Sequence, residues 1–405
     1  MMRLRIAQML RAQKRHISFH TPGHKRAGWD ITELSYSDDL SDPTGVLLEA
    51  QRDAAAILGA DVSLFLTDGS TCGVYAMLFA LKKRGCGRVC VPTYAHKSVF
   101  HACEALGLVP VLLAQETVRG IPRQPRAEEM EKGLAAADAL LLTSPDYYGF
   151  FAPLPEAKAL CAAAGKPLLV DGAHGAHLHG TPFYAGAFAD LWVDGVHKSL
   201  PALTQGAVLS ANAAWAQAAR EGADFFRTSS PSYPILASVE YAVKYPENAH
   251  IERLSAAAKR ALGALANDDW TKIVLPFGEY ASAAQAYFEA HGVYPEFNDG
   301  QYLMFYLSPA TKARELKKLV RLARRLPRGE VLTQGVTSGM VGGNTVEVPL
   351  MQAVGRVCAR ACGIVPPCIP LIAAGEVVTR QKAERLARAR HTFGLTGGNI
   401  TVYGE

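Results

Sequence analysis

The stretches LLVDGAHGAH, residues 168–177, and LWVDGVHKS, residues 191–199, indicate the architecture of the chain. Each begins with a short apolar run that is typical of a buried strand, and each passes directly into polar residues. In an open α/β sheet, ligands bind beyond the carboxyl ends of such strands. The acid Asp171 and the lysine Lys198 both come at that point, so we expect both side chains at one edge of a sheet.

Similar apolar runs alternate with helical patterns upstream of these stretches. Strands are predicted at Asp61–Leu66, Arg88–Val91, Val109–Leu113, Leu140–Thr143, Pro167–Val170 and Leu191–Val193. Helices are predicted at Gly45–Leu58, Gly73–Lys83 and Lys97–Leu106. Strands that alternate with helices at this spacing predict an α/β fold with a mostly parallel sheet covered on both faces.

The flanking regions differ from this central pattern. Met1–His16 predicts a short amphipathic helix, and a long helical stretch runs from about Tyr233 to Leu265. Beyond it, strands are predicted at Lys272–Leu275 and Tyr302–Leu307, and a basic helix at Lys312–Arg328, whose charges we interpret as a solvated face. The predicted organisation is an N-terminal segment (1–40), a large domain (41–250) and a smaller α+β C-terminal domain (251–405).

Composition excludes several classes of protein. The 405-residue chain is 49% hydrophobic and 20% charged, unlike disordered, collagen-like or coiled-coil chains. Its net charge of +5 is too small and diffuse to indicate nucleic-acid binding. The longest apolar runs, such as Leu108–Ala114, are far shorter than the roughly 20 residues of a membrane-spanning helix. We therefore expect neither nucleic acid nor membrane among its partners.

The cysteines and histidines do not suggest a metal site. The eight cysteines lack CxxC spacing. His174, His177 and His179 lie close together, but no neighbouring Cys or Glu completes a ligand set. Thiols without a disulfide pattern are typical of a reducing compartment, so we expect a cytoplasmic protein without a bound metal.

Three features together suggest a cofactor. The segment Thr67–Thr71 lies between a predicted strand and a helix, where N–H groups and hydroxyls suit a phosphate. Asp171 is placed to pair with a cation. Lys198 ends a strand, where partial desolvation lowers the pKa of its amine and makes it a nucleophile for carbonyls. A phosphate cradle, an acid and a Schiff-base lysine are the parts that pyridoxal phosphate (PLP) requires.

Several longer motifs extend this interpretation. They are TPGHKR (21–26), DLSDPTG (39–45), GSTCG (69–73), AHKS (95–98), SPDYYG (144–149), VDGAHGAH (170–177), HKSLPALTQGA (197–207), TSSPSY (228–233) and VPPCIPL (365–371). In their order along the chain and in their residues, these motifs resemble those of the Orn/Lys/Arg decarboxylase family, in its short bacterial form. The resemblance covers about residues 18–380. It implies a fold-type-I PLP-dependent transferase-like large domain.

The resemblance also implies a role for each candidate residue. Lys198 would bind PLP as a Schiff base, Asp171 would pair with the pyridinium nitrogen, and His96 would stack on the ring. The phosphate would be bound by Ser70 and Thr71 with help from His197, and His174 would lie near the ring. The implied catalytic residues are Lys198, His96 and His197.

The implied reaction is decarboxylation of a basic amino acid (arginine, lysine or ornithine) to its amine and CO₂, a step of polyamine metabolism. The implied assembly is a homodimer or a higher homo-oligomer, in which Thr228–Tyr233 reaches the neighbouring subunit's site. Two alternatives stay open. One is another PLP reaction on the same fold, such as that of an aminotransferase or a lyase, and the other is a non-enzymatic binding protein.

Some positions depart from the family's pattern. Asp68 stands where Asn is expected, Asp146 where Thr is, Gly172 where Glu is, Gly195 where a hydroxyl residue is, and Cys368 where Gly is. A basic substrate also needs a carboxylate for its distal cation. The candidates for that carboxylate are Glu296, Glu376, Glu33 and Asp38.

Overall fold

The two motif-bearing strands lie side by side in a seven-stranded sheet. The structure, a computed structural model, describes residues 3–26, 28–331, 344–365, 368 and 370–404. The strands of this sheet are β1 (Val62–Leu66), β2 (Arg88–Pro92), β3 (Val109–Leu113), β4 (Ala139–Thr143), β5 (Leu168–Gly172), β6 (Leu191–Asp194) and β7 (Ala207–Ala211). Their order is β1-β7-β6-β5-β4-β2-β3, and β7 alone runs antiparallel to its neighbours in the sheet. The predicted mostly parallel sheet is confirmed.

Strand β7 is the one strand of this sheet that the sequence did not predict. It lies between β1 and β6, and all five of its residues are buried. Its run contains Ser210, whose hydroxyl forms a 2.8 Å hydrogen bond with Ser63 of β1. A buried hydroxyl paired across two strands is well satisfied, but it interrupts the apolar pattern on which a strand prediction depends.

Helices cover both faces of the sheet. In chain order, the helices of the described residues are α1 (Arg5–Ala12), α2 (Val46–Leu58), α3 (Gly69–Lys83), α4 (Lys97–Leu106), α5 (Ala127–Ala135), α6 (Leu154–Ala164), α7 (Val196–Ser199), α8 (Ala216–Phe226), α9 (Tyr233–Val243), α10 (Ala249–Leu262), α11 (Ala281–Ala290), α12 (Ala313–Ala323) and α13 (Arg380–Arg388), of which α10–α13 pack in the C-terminal part. One core packs α1, α2, α6 and α9 against the sheet, and a second core packs α3, α4 and α8 on its opposite face. None of the helices in the described ranges is long and apolar enough to cross a membrane.

The predicted N-terminal helix packs against α2 and α9, two of the helices that cover the large sheet. Helix α1 is shorter than the predicted Met1–His16 and buries Ile6 and Leu10. The Glu240 carboxylate accepts the first two N–H groups of the helix, from Arg5 at 2.7 Å and from Ile6 at 2.9 Å. An acid at this position both satisfies unpaired donors and complements the helix dipole.

The predicted helix from Tyr233 to Leu265 is wrong as one continuous element. The structure has two helices there, α9 and α10, separated by residues 244–248. Pro246 lies in that break and cannot continue a helix because it lacks an N–H donor. Asn248 then caps α10 by accepting the N–H of Ile251 at 3.2 Å.

Beyond α10 the described residues form three small antiparallel sheets. The first contains the predicted strands β8 (Lys272–Pro276) and β10 (Tyr302–Tyr306), with β9 (Phe297–Asn298) at its edge. The other two contain β11 (Thr345–Pro349), β12 (Cys362–Ile364), β13 (Pro370–Ile372), β14 (Thr392–Phe393), β15 (Leu395–Thr396) and β16 (Asn399–Tyr403). A two-stranded hairpin, Thr117–Val118 with Ile121–Pro122, lies outside these sheets. In the VPPCIPL motif, residues 366, 367 and 369 lie outside the described residues.

The basic helix predicted at Lys312–Arg328 is the shorter α12. Leu316, Leu319 and Leu322 are buried against the first small sheet, while Lys317 and Lys318 are exposed. This division is that of an amphipathic helix with a solvated face, as the sequence predicted.

A buried ionic cluster joins the first small sheet to the large one. His177, in the loop after β5, lies 2.9 Å from the Asp269 carboxylate, and Lys272 at the start of β8 pairs with the same group. Thr271 donates to it through its N–H and its hydroxyl, at 2.8 and 2.7 Å. Burial opposes ionisation of Asp269, yet Lys272 and His177 hold its pKa well below the usual range.

Removing one charge from this cluster tests its contribution to stability. We expect Asp269→Asn to lower the free energy of unfolding by about 3–5 kcal/mol, because it leaves Lys272 buried without a counter-charge. Urea titration would measure the change. Glu221→Gln, which breaks an exposed pair with Lys83, is the control and should change stability little. Equal effects of the two substitutions would contradict a structural role for the cluster.

Candidate active site

A cavity of about 310 Å³ opens beyond the carboxyl ends of β4, β5 and β6. It collects side chains from the ends of these strands, from the N-terminus of α3 and from the loop before α4. The described residues that line it are Gly69, Ser70, Thr71, Pro92, Tyr94, His96, Ser98, Gln115, Pro122, Gln124, Thr143, Asp146, Tyr147, Tyr148, Asp171, Ala173, His174, His197, Lys198, Thr204 and Gln205. All seven residues that the sequence suggested for the site are among them.

Lys198 occupies the centre of this arrangement. The short helix α7, which follows β6 after one residue, carries Lys198 and places its Nζ 3.3 Å from Nε2 of His174. Burial lowers the pKa of Lys198, and the negative charges of Asp171 and Glu296 oppose that shift. A lysine in such a position carries an unprotonated amine more readily than one in water, so it is suited to attack a carbonyl.

Asp171 is the penultimate residue of the neighbouring strand β5 and is almost fully buried. The N–H of Ala173 donates to its Oδ1 at 3.1 Å. Burial raises the pKa of Asp171, and the positive charge of Lys198 opposes that shift. A buried carboxylate with one backbone donor is incompletely compensated, so a cationic group of a ligand would stabilise its charged form.

The two histidines that frame the cavity have defined ring orientations. The N–H of Ser98 donates to Nδ1 of His96 at 3.2 Å, which caps α4 and leaves the ring hydrogen on Nε2. Burial lowers the pKa of His96 to about 3, with Lys198 adding to the shift, so its ring is neutral. His197 Nδ1 lies 2.9 Å from the carbonyl oxygen of Gly206, to which it can only donate. Burial also lowers the pKa of His197.

The N-terminus of α3 forms an anion-binding end of the cavity. Ser70 and Thr71 lie in the first turn of this 15-residue helix. Gly69 adopts a φ of +76°, and its N–H donates to the carbonyl oxygen of Gln205 at 2.9 Å. First-turn N–H groups and two hydroxyls beside a positive helix end suit a phosphate. The helix starts four residues earlier than Gly73, where the sequence predicted it, so this turn is helical.

Two tyrosines enclose His174, and the sequence did not suggest either of them. The ring of Tyr306 stacks on that of His174 with centroids 5.4 Å apart and planes 8° apart, and Tyr147 packs at 4.7 Å. Burial and the charge of Lys198 hold the pKa of His174 well below its usual range. Tyr147 lies in the quoted SPDYYG motif, but Tyr306 ends a strand without any chemical signal in its sequence.

Other lining residues also escaped the sequence reasoning. Tyr94 precedes the AHKS motif, and Thr204 and Gln205 lie inside HKSLPALTQGA, so motif context could have indicated them. Gln115 and Gln124 flank the small hairpin, where no element was predicted. Their amides face the cavity only because the fold returns this hairpin to the strand ends.

Two departures from the family's pattern have local steric reasons. A Cβ on Gly195 would lie 2.5 Å from the carbonyl oxygen of Ala173, so a hydroxyl residue does not fit this backbone. A Cβ on Gly172 would lie 3.1 Å from Oδ1 of Asp194. The buried Asp194 accepts the Tyr184 hydroxyl at 2.5 Å, and burial raises the pKa of Asp194 to about 7. Its carboxyl therefore occupies space beside the residue after Asp171.

None of the four acids suggested for a substrate cation lines the described part of the cavity. Glu376 is buried and paired with Lys382. Asp38 accepts backbone N–H groups at the start of α2, including those of Gly45 and Leu47, and these bonds lower its pKa although burial opposes the shift. Glu296 is exposed, and Glu33 lies outside the cavity. The acids that do line the cavity are Asp146 and Asp171.

Family comparison identifies two regions of the chain. Residues 28–263 match the major domain of Orn/Lys/Arg decarboxylases, and residues 316–390 match the C-terminal domain of the same family. The chain is 30% identical to the uncharacterized protein YaaO of Bacillus subtilis, over 96% of this chain and 95% of that protein. It is 28% identical to an arginine decarboxylase of Halalkalibacterium halodurans, over 91% of this chain and 89% of that protein.

The fold is also shared with a solved structure. Lysine decarboxylase A from Pseudomonas aeruginosa superposes with a TM-score of 0.77 at 17% identity, over 98% of this chain and 80% of that chain. At this identity the likeness concerns the fold, and it extends through both the large sheet and the C-terminal sheets.

The neutral histidine beside Lys198 predicts a dependence of stability on pH. An unfolded histidine gains a proton near pH 6.5, whereas His174 stays neutral in the folded protein. Acidification from pH 7.5 to 5.5 therefore favours the unfolded chain, by about 1.4 kcal/mol for such a histidine. We expect His174→Gln to reduce the acid-induced fall in unfolding free energy by about that amount, as measured by urea titration at both pH values.

The control for this measurement is His250→Gln, since His250 is exposed. This variant should keep the wild-type difference between the two pH values. A His174→Gln variant that loses as much stability on acidification as the wild type would contradict the assignment of a neutral, buried ring.

Proposed function

Because the chain belongs to the Orn/Lys/Arg decarboxylase family, we propose that it removes the α-carboxylate of arginine, lysine or ornithine and releases the corresponding amine and CO₂. The chain is a PLP-dependent decarboxylase. The observation that carries the choice of active site is the position of Lys198, a buried amine with Asp171 at the end of the neighbouring strand and the α3 N-terminus in the same cavity.

The cavity residues fit pyridoxal 5′-phosphate. His174 and Thr143 are among those with a buried polar atom that has no partner in the described part of the chain, as expected where a polar ligand binds. We propose that the α3 N-terminus with Ser70 and Thr71 holds the phosphate, and that Asp171 holds the ring nitrogen. When bound, the cofactor supplies an electron sink for the carbanion that forms as CO₂ departs.

Lys198 is the proposed attachment point and proton donor. Its lowered pKa favours the neutral amine, which is the form that attacks an aldehyde. When Nζ is protonated it has only donors, so Nε2 of His174 then accepts from Nζ and orients it in the cavity. From this position Nζ can deliver a proton to the carbon that has lost its carboxylate.

The proposed chemistry needs an ionised Asp171, and it needs histidine rings that are neutral and fixed in orientation. Lys198 favours ionised Asp171 despite burial, and an ionised acid keeps a ring nitrogen protonated. His96 presents a neutral ring whose orientation is fixed by Ser98. We propose that this ring packs on the cofactor face, and that His197, anchored on Gly206, faces the phosphate end.

The lining of the cavity favours decarboxylation over transamination. An aminotransferase holds the substrate carboxylate with an arginine, which keeps that group on the substrate. No arginine lines the cavity in the ranges that the structure describes. Arg321, Arg324 and Arg325 lie exposed on and just after α12.

We also propose a cytoplasmic homodimer or higher homo-oligomer. All eight cysteines are free, which fits a reducing compartment. The segment Thr228–Tyr233 is partly anchored in its own chain, since the Thr228 N–H donates to Asp68 at 3.3 Å and the Tyr233 hydroxyl donates to the Asp38 carbonyl at 2.6 Å. Ser229 and Ser230 between these anchors are exposed, so they are free to reach a neighbouring subunit.

The proposed attachment point can be tested by substitution. With PLP added, we expect the wild-type protein to show the visible absorption band of the bound cofactor and to release CO₂ from one of the three amino acids. Lys198→Ala should lose the band, and CO₂ release should fall by at least roughly 10²- to 10⁴-fold, because both the attachment and the proton donor are removed. Lys132→Ala, at an exposed lysine, is the control. A Lys198→Ala protein with normal turnover would rule out this role.

The proposed contribution of Ser229 and Ser230 to a partner's site can be tested by mixing inactive proteins. Light scattering should first give at least twice the 43.5 kDa mass of one chain. Lys198→Ala mixed with a Ser229→Ala/Ser230→Ala variant should then regain about a quarter of wild-type activity, since random pairing leaves one intact site in each mixed dimer. A mixture as inactive as its components would argue against a shared site.

A further inference from the structure

Asp146 is an acid of the cavity that the proposed chemistry does not use. Asp171 lies beside Lys198 at the end of β5, whereas Asp146 lies in the turn that follows β4. The resemblance to the family leads one to expect threonine at position 146. The acid is therefore a feature of this chain, placed where a ligand can reach it.

The Asp146 carboxylate is held in place by its own turn. Oδ1 accepts the N–H groups of Tyr148 and Phe150, both at 2.9 Å. Oδ2 has one weak partner, the Gln124 amide at 3.4 Å. The backbone bonds fix the position of the group, and Oδ2 keeps most of its capacity to accept a hydrogen bond.

Among the residues that the structure describes, none forms an ion pair with the Asp146 carboxylate. Its hydrogen-bond partners in the described chain are N–H and amide groups, and none is a cation. Burial raises the pKa of Asp146 to about 7, although its backbone hydrogen bonds and Lys272 oppose the shift. Lys272 is itself committed to Asp269. A cation that entered the cavity would therefore meet an acid whose ionisation it favours.

The remaining surroundings suit a polar chain. The amides of Gln115 and Gln124 and the ring of Tyr147 line the same cavity. The Gln115 amide accepts the Tyr94 N–H at 2.9 Å and donates to the Arg123 carbonyl oxygen at 2.7 Å, so it is a fixed, uncharged part of the lining. In this polar lining, the acid is a preorganised acceptor for one charged end of an extended ligand, as in other small-ligand sites.

We infer that Oδ2 of Asp146 receives the distal cation of the substrate, either the ammonium of lysine or ornithine or one N–H of the arginine guanidinium. This inference rests on the proposed function. It assigns Asp146 a role in specificity and places the substrate's charged end beside β4, away from Lys198. It replaces the four acids that the sequence suggested.

The test compares Asp146→Asn with wild-type holoenzyme on arginine, lysine, ornithine and norleucine, which has no distal cation. Asparagine keeps an oxygen for the Tyr148 and Phe150 N–H groups but removes the charge. We expect kcat/KM for the basic substrate to fall roughly tenfold to a hundredfold, mainly through KM, because one charge-assisted hydrogen bond is lost. The rate with norleucine should stay the same within about twofold.

A binding measurement separates recognition from catalysis. Calorimetric titration with the amine product of the active substrate should show a similar fold loss of affinity in Asp146→Asn. Glu296→Gln is the matched control, because it removes the charge of an exposed acid that acts on Lys198 without lining the cavity. It should leave both KM and amine affinity nearly unchanged.

The outcomes distinguish a failure of the inference about Asp146 from a failure of the proposed function. An active wild type with unchanged KM and amine affinity in Asp146→Asn would overturn the inference and leave the proposed function intact. The same follows if Glu296→Gln shows the losses instead. A wild type that releases CO₂ from none of the three basic amino acids would overturn the proposed function itself. If Asp146→Asn fails to fold, Asp146→Thr provides the same comparison, since threonine also keeps an oxygen in the turn.

Discussion

The partial burial of Lys198 is the constraint on which the site depends. Its amine lies beyond β6, 3.3 Å from His174, and the buried carboxylate of Asp171 comes from the neighbouring strand. The parallel pairing of β5 with β6 sets Asp171 opposite Val193, so the acid and the lysine emerge at the same edge of the sheet. A lysine in solvent would stay protonated, and an isolated buried acid would stay neutral. Burial favours the neutral amine of Lys198 against the opposing charge of Asp171, and Lys198 in turn favours the ionised form of Asp171.

The surroundings of Lys198 extend into the C-terminal part of the chain. His174 stacks on Tyr306 of β10, and the Lys272 ammonium of β8 lies 4.9 Å above the Tyr306 ring. Lys272 in turn pairs with Asp269, which contacts His177 of the large domain. The first small sheet thus packs against a residue that lines the cavity, and the ionic cluster joins this sheet to the large one. Cation–π and stacking contacts of this kind orient the rings without placing a further charged group in the site.

The sequence predicted the parts of this protein that depend on local patterns. Apolar runs gave six of the seven strands of the large sheet, and the residues after them indicated Lys198, Asp171 and the α3 N-terminus, all of which line one cavity. It was harder to predict which distant residues meet in space. Gln124 lines the cavity and Tyr306 stacks on His174 through long-range contacts that leave no mark in their own segments. Strand β7 contributes Ser210 to a buried serine pair, which interrupts its apolar pattern. Pro246 lies between α9 and α10, although the apolar pattern of the sequence continues across it. In the sequence, Asp146 was noticed only as a departure from the family's motif. Its position in the cavity and its hydrogen bonds are what indicate a role for it.

The proposal that Lys198 carries the cofactor is tested most directly by incubating the wild-type protein with PLP, reducing it with borohydride, and locating the modified lysine by peptide mass spectrometry. We expect a single reduced adduct on the peptide that contains Lys198, and none on exposed lysines such as Lys132. An adduct on another lysine, or the absence of any adduct after saturation with PLP, would contradict it.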